Sequence, residues 1–423
     1  MTAFSKFFRQ PLAPALAFFL LALLLRAFVV FFQFGNELAF SDERMYLRLA
    51  DVVGDGNWLG EGTAAAPGPI YFWGTLRALG ASLLGIRLIH ALAGALAVLV
   101  LFLLARRLAG PWPAALAALV MSAYPYLLFL SGLLYPQAVF HLTFLVMCYS
   151  LLRWMQEGGT RWFVLGGVAL GVSALFVVPI LSASPLVALW IMLAGRGNFW
   201  SRARSAVLLG LITLATILPA TARNYLVSRQ VILLSSMGGS AFYWANNDQA
   251  DPWNRDAEVW LEKYQRRQDR EQANQGWTAD DMQQLSTYRA NRFWREQTPR
   301  ATRNYLIRLS QFFDVAPRSY TANEFTRDRR NEILAIVTSL PVLLLAPLGV
   351  WRSRRWWRFW FPLAAIPLFQ ALTYAFFHVS VRYRIPFEAC FIFFAAVGFC
   401  WTLGIPIRDG ATPFERAPDQ KTS

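Results

Sequence analysis

Two adjacent carboxylates, Asp42 and Glu43, follow directly on the first long apolar run, and Tyr46 sits one helical turn beyond them in "FSDERMYLRL". A carboxylate in that position can take a proton from a hydroxyl as a general base. It can also sit in the first turn of a helix, where it complements the helix dipole by about 0.3–1 kcal/mol. Ser41 offers an N-cap for such a helix, and a capped helix is itself a rigid mount for a base. Acids are scarce enough to make the pair conspicuous: between Glu61 and Asp248 the only carboxylate is Glu157. The other acids open to the same side are Glu37, Asp51, Asp55 and Glu61 in the same stretch, those of 223–331, and Glu388 inside the last apolar run. The complementary groups are cationic. Arginine outnumbers lysine 37 to 3, and a planar, permanently charged fork suits phosphate better than an ammonium does. Arg87, Arg223, Arg382 and Arg384 all fall at ends of apolar runs, the last two beside His378 and Tyr383 in "HVSVRYRIPFE". Anchoring at a membrane boundary is the competing reading for each of these arginines.

The elements that must position these residues are membrane helices. The chain is 56% apolar and only 15% charged, with 17 Trp and 34 Phe, a usage that fits bilayer interfaces. Apolar runs near 12–34, 85–105, 112–131, 133–152, 162–178, 180–195, 205–222, 332–350, 359–377 and 385–405 predict about ten crossings. Pro179 and Pro185, with Ser182 and Ser184, mark a tight hairpin within 162–195. With Lys6 and Arg9 placed in the cytoplasm, every short connection that should be cytoplasmic is basic, from Arg106 and Arg107 to "RSRRWWR" and the tail. The first span has no small-residue cleavage site and reads as an uncleaved signal anchor. Arg26, inside that span, is costly in lipid and is expected to face the protein interior.

This divides the chain into an N-terminal transmembrane module (1–222) with an outer loop at 35–84, a second outer region (223–331), a C-terminal transmembrane module (332–408) and a disordered cytoplasmic tail (409–423). The second outer region holds 13 of the 25 acids and reads as helical over 256–274 and 279–297. The fold class is an all-α polytopic integral membrane protein. The net charge of +15 is spread in short clusters between apolar spans, which excludes a continuous nucleic-acid face. Cys148, Cys390 and Cys400 lie in apolar runs and form neither a disulfide framework nor a metal-type spacing.

The order of one span, "DERMYLRLA", the Pro-rich "AAAPGPIYFW", "GIRLIHALAGAL", "RNY" after a later span, "GGSAFYWANND" and "HVSVRYRIPFE" resembles the GT-C glycosyltransferases. More narrowly it is similar to the protein O-mannosyltransferase and lipid A aminoarabinose transferase branch of bacterial membrane enzymes. The resemblance implies a GT-C-like architecture with surface helices in the first outer loop, in a bacterial inner membrane, with both termini cytoplasmic and the active site facing the periplasm. It implies transfer of a sugar from a polyprenyl-phosphate donor to a lipid, protein or glycan acceptor. Carried over residue by residue, it makes Asp42, with Glu43 beside it, the catalytic base, with Tyr46 on the same face. Arg382 and Arg384 would hold the lipid phosphate, with Tyr383, His378, Arg223 and Arg87 at the same depth. Relatives often carry Pro-Glu after the third span, whereas this chain has Tyr135-Pro136-Gln137; a neutral amide supplies no anion there, and a divalent metal is left open as a cofactor.

Two readings of another class stand beside it. A transporter or flippase of lipid-linked glycans should show ionisable groups near mid-membrane and related halves. Here such groups are few (Arg26, His90 and His141) and the halves do not resemble each other. A scaffold that binds a partner through 223–331 would leave the acids of the first outer loop unexplained.

Overall fold

The apolar runs expected to cross a bilayer are helical in the computed structural model, 112–131 as two helices, and the structure describes residues 12–38, 40–252, 279–315, 329–377, 379 and 381–407. The helix expected over 256–274, the tail from 409 and His378 lie outside the described residues. The spanning helices of the N-terminal half are α1 (Leu12–Val29, continued by a wider turn at Val30–Phe34), α4 (Leu83–Ala109), α5 (Pro111–Ala123) with α6 (Pro125–Ser131), and α7 (Gln137–Glu157). Between α1 and α4 lie two short helices, α2 (Ser41–Gly54) and α3 (Pro67–Ala78). Then come α8 (Thr160–Phe176), α9 (Ser184–Ala194, preceded by a 3-10 turn at Val178–Ala183) and α10 (Phe199–Ser228). Residues 223–331 contribute α11 (Gly238–Ala245), α12 (Ala279–Glu296) and α13 (Thr298–Phe312). The C-terminal module is α14 (Arg329–Ser353), α15 (Trp357–Tyr374), the short α16 (Val381–Arg384) and α17 (Glu388–Thr402). Among the described residues there is no strand.

Six helical stretches are long and apolar enough to cross a membrane, or seven if α5 and α6 form one bent span. The stretches 160–176 and 178–194 are apolar but shorter than the roughly 20 residues of a full crossing. Their chain break falls at Val177, next to the proline pair that predicts it.

The bend between α5 and α6, 54°, has a local cause. Pro125 has no N–H, so the Met121 carbonyl loses its helical partner and the last turn of α5 is left open. Arg26 fills the gap from α1. It is 1% exposed and donates Nη2–H to Met121 O (3.2 Å) and Nη1–H to Ser122 O (3.3 Å) and Ala22 O (3.2 Å). Arg26 therefore faces the interior as expected, held by carbonyl groups at the negative end of a broken helix.

Close backbone approach builds the rest. A Cβ on Gly349 of α14 would lie 1.8 Å from Phe394 O of α17, so only glycine lets these two helices touch. In the outer layer, a Cβ on Gly74 of α3 would lie 2.8 Å from the Val53 side chain, which seats α2 directly on α3. The ion pair of Arg77 Nε with Asp51 Oδ1 (2.7 Å) closes the same joint.

Candidate active site

Position 42 and position 43 point in different directions, as neighbours on a helix must. Glu43 goes inward. It is fully buried and is the true helix-start acceptor: its Oε2 takes the Phe40 N–H at 3.1 Å, so the N-cap is Phe40 and not the expected Ser41. Its Oε1 takes the Leu134 N–H at 2.9 Å and Arg87 Nη2–H at 3.2 Å. Glu43 thus fastens the start of α2 to the turn between α6 and α7.

Asp42 goes outward. Its Oδ2 accepts from Arg382 Nη1 at 2.7 Å, joining the first outer loop to the entry of the last helix across 340 residues of sequence. The two side chains keep 41% and 26% of their surface exposed, so the pair is reachable from outside the protein. Arg382 is flanked by the rings of Tyr135 (5.0 Å) and Tyr383 (5.6 Å), whose electron-rich faces favour a cation. Tyr383 is stacked on Tyr374 at 4.7 Å, and Tyr135 packs on Phe40, the residue before the helix that carries Asp42.

Tyr46 lies one turn beyond Asp42, edge-on to Trp73 at 5.5 Å. Burial pushes its phenol up to about 12 against the pull of Arg382, so it stays a neutral donor at ordinary pH. Trp73 donates Nε1–H to His90 Nε2 at 2.9 Å, and His90 Nδ1 lies 2.9 Å from Leu133 O. A carbonyl only accepts, so the proton sits on Nδ1 and both ring nitrogens are satisfied in the neutral form. Loop one and the Leu133–Tyr135 turn are thereby held from three sides, by Glu43, His90 and the Phe40 ring.

The other arginines expected here are placed differently. Arg87 is fully buried and donates to Phe34 O, Gly35 O (2.8 Å) and Glu37 O as well as to Glu43. Arg384 is also fully buried, with Nε on Glu388 Oε1 (2.8 Å) and Nη1 on Asp314 O (2.6 Å) and Phe312 O (3.3 Å). Arg223 ties the end of α10 to loop one through Leu59 O and Gly62 O, both at 2.6 Å. All three bind backbone carbonyls, Arg87 and Arg384 a carboxylate as well, and of the four arginines Arg382 is the one paired with Asp42. Residues 238–245 of the "GGSAFYWANND" stretch form helix α11, and Asn246 just beyond it is fully buried.

Nothing in the residue pattern points to Tyr135 as a partner of Arg382. The signal that could have found it is the turn before Pro136, which must lie beside loop one if α1 and α7 end on the same side. Gln137 is buried. Among the described residues no group of three or more His, Cys, Asp or Glu side chains is placed to hold a metal ion. Asp42 is engaged by Arg382, and the amide of Gln137 offers no anionic ligand.

Comparison with known proteins gives a fold and a family model that matches part of the chain. Residues 65–222 match the family model described as dolichyl-phosphate-mannose-protein mannosyltransferase, a stretch that contains α3 to α9 and most of α10 but neither Asp42 nor Arg382. No curated protein matches the chain. Among solved structures it is similar to the oligosaccharyltransferase AglB from Archaeoglobus fulgidus in complex with an inhibitory peptide and a dolichol-phosphate, with TM-score 0.57 and 16% identity over 95% of this chain and 51% of that one. The Archaeoglobus fulgidus oligosaccharyltransferase tethered to an acceptor peptide gives TM-score 0.53 and 14% identity over 92% of this chain and 50% of that one. ArnT from Cupriavidus metallidurans bound to undecaprenyl phosphate overlaps with TM-score 0.46 and 15% identity, over 92% of this chain and 78% of that one. The chain spans about half the length of the archaeal enzymes. It has the GT-C fold of membrane glycosyltransferases, with the mannosyltransferase family pattern over residues 65–222.

Proposed function

We propose that the protein is a glycosyltransferase that moves a sugar from a polyprenyl-phosphate donor to an acceptor hydroxyl at the extracytoplasmic membrane boundary. The observation that carries this reading is the 2.7 Å contact between Asp42 and Arg382, a base and an anion receiver at one depth and open to ligand. In the reaction, the acceptor oxygen bonds to the anomeric carbon as its proton passes to Asp42. The bond from that carbon to the phosphate oxygen breaks, its electron pair leaves with the polyprenyl phosphate, and Arg382 meets the charge that develops there. Attack opposite the leaving group inverts the anomeric centre. Glu43 and Arg87 keep the mount of the base in place, and Tyr46 supplies a neutral hydroxyl beside it.

The orientation is supported by the opposite end of the molecule, where Arg107 and Arg153 meet Glu157 at 2.6 and 2.5 Å among the basic connections. The bent α5–α6 pair is the feature a transporter reading would use, since broken helices there coordinate ions with their free carbonyl ends. Here Arg26 already occupies those carbonyls.

Mass spectrometry of lipids and surface glycans from a deletion strain tests the reading. One hexose or pentose modification is expected to disappear, and unchanged lipids and glycans would refute it. For the purified protein, Arg382→Ala is expected to raise the donor KM by about 10–150-fold, the equivalent of one charge-assisted hydrogen bond. The acceptor KM should change little, and equal losses for both substrates would count against a phosphate contact.

A further inference from the structure

The segment that carries Arg382 and Tyr383 runs from the end of α15 to α16, and a single extramembrane helix, α13, grips it at both ends. At the leading end, Arg308 of α13 is 4% exposed and donates Nε–H to Ala375 O at 2.8 Å. The same guanidinium reaches Ala245 O (2.7 Å) and Asn246 Oδ1 (3.1 Å). Asn246 in turn donates Nδ2–H to Phe376 O at 2.6 Å and accepts Trp294 Nε1–H at 2.9 Å. At the trailing end Arg384 reverses the direction of the grip: it leaves the segment and donates to Phe312 O and Asp314 O at the C-terminal end of α13. A helix C-terminus is the favourable place for a cation.

Two guanidinium groups are thus buried on either side of Arg382, Arg308 on backbone carbonyls and the Asn246 amide, Arg384 on backbone carbonyls and the Glu388 carboxylate. Burial of charge is expensive, and apolar packing would hold a loop at lower cost. What carbonyl-bound forks add is direction, because each fixes the path of the backbone it binds. Between the two grips, Arg382 reaches out to Asp42 and Tyr383 lies flat on Tyr374.

We infer that Arg308 and Arg384 are positioning residues, through which α13 of the second outer region sets the place of Arg382 opposite Asp42. The inference rests on the reading of Arg382 as the receiver of the lipid phosphate. It makes the second outer region part of the donor site, in addition to any contact it makes with an acceptor.

The test uses the full-length protein in nanodiscs, with undecaprenyl phosphate as the probe. Arg308→Lys and Arg384→Lys keep the charge and lose the fork, which favours retention of the fold. Each is expected to speed amide hydrogen exchange across 375–384 and to weaken undecaprenyl phosphate binding by about tenfold or more. Unchanged exchange across 375–384 in both variants would overturn the inference. So would faster exchange with wild-type affinity, the signature of a purely structural role, provided that Arg382→Ala does weaken binding. If Arg382→Ala also binds as the wild type, the reading of Arg382 as a phosphate contact fails, and the inference with it. Should Arg308→Lys not fold, Arg384→Lys carries the same test from the other grip.

Discussion

Asp42→Asn is expected to lower kcat by about 10²–10⁴-fold, the usual contribution of a positioned general base. The protein should fold and insert normally. Asparagine matches the shape of aspartate and keeps an oxygen for Arg382, and a partly exposed ion pair of this kind contributes only about 0–1 kcal/mol. Glu43 cannot take over, because it is fully buried and its carboxylate is already held by Arg87 and two backbone N–H groups. Turnover and thermal midpoint measured on the same preparation separate the two effects. Retained turnover in Asp42→Asn would remove the assigned base.

Glu43→Ala is expected to do the reverse and to cost about 3–5 kcal/mol of stability, the penalty for breaking a buried pair. The loss has three parts: Arg87 keeps its charge without the carboxylate, and the N–H groups of Phe40 and Leu134 lose their acceptor. Thermal unfolding in detergent should show a large drop in midpoint. Adding Arg87→Met should recover part of it, with a coupling of about 0.5–3 kcal/mol between the two positions. Strict additivity would show that Glu43 and Arg87 do not act as a unit.

These two neighbours mark the boundary of what the sequence makes legible. The scarcity of acids drew attention to the pair, and the outer-boundary arginines drew attention to Arg382. One-dimensional spacing could not say which acid faces inward, since consecutive helical positions differ by about 100° and the burying surface is contributed from residue 134. The same ambiguity covered Arg87, Arg223 and Arg384. A guanidinium that anchors at a membrane boundary, one that awaits a phosphate and one that binds carbonyls all occur at helix ends.

The apolar runs were legible because hydrophobic length is a direct physical requirement for crossing a bilayer. The bend within 112–131 was also present in the sequence, as Pro125 in "SAYPYLL", but a continuous apolar run concealed it. Asn246 lay hidden for another reason. Asparagine beside aromatics reads as a loop or a sugar contact, whereas here the amide binds Phe376 O and receives Trp294 and Arg308.

The cation inside the first span imposes an order on biogenesis. Arg26 is satisfied by the backbone of residues 121 and 122, which leave the ribosome 95 and 96 positions later. At about 5–20 residues per second, that is roughly 5–20 s during which the newly inserted helix carries a charge with only the Ala22 carbonyl of its own helix as a partner. Until the kinked helix arrives, that charge favours water or protein surroundings for the first span over bare lipid. A generic hydrophobic leader grafted in its place would enter the bilayer more readily, yet leave the kink's carbonyls open.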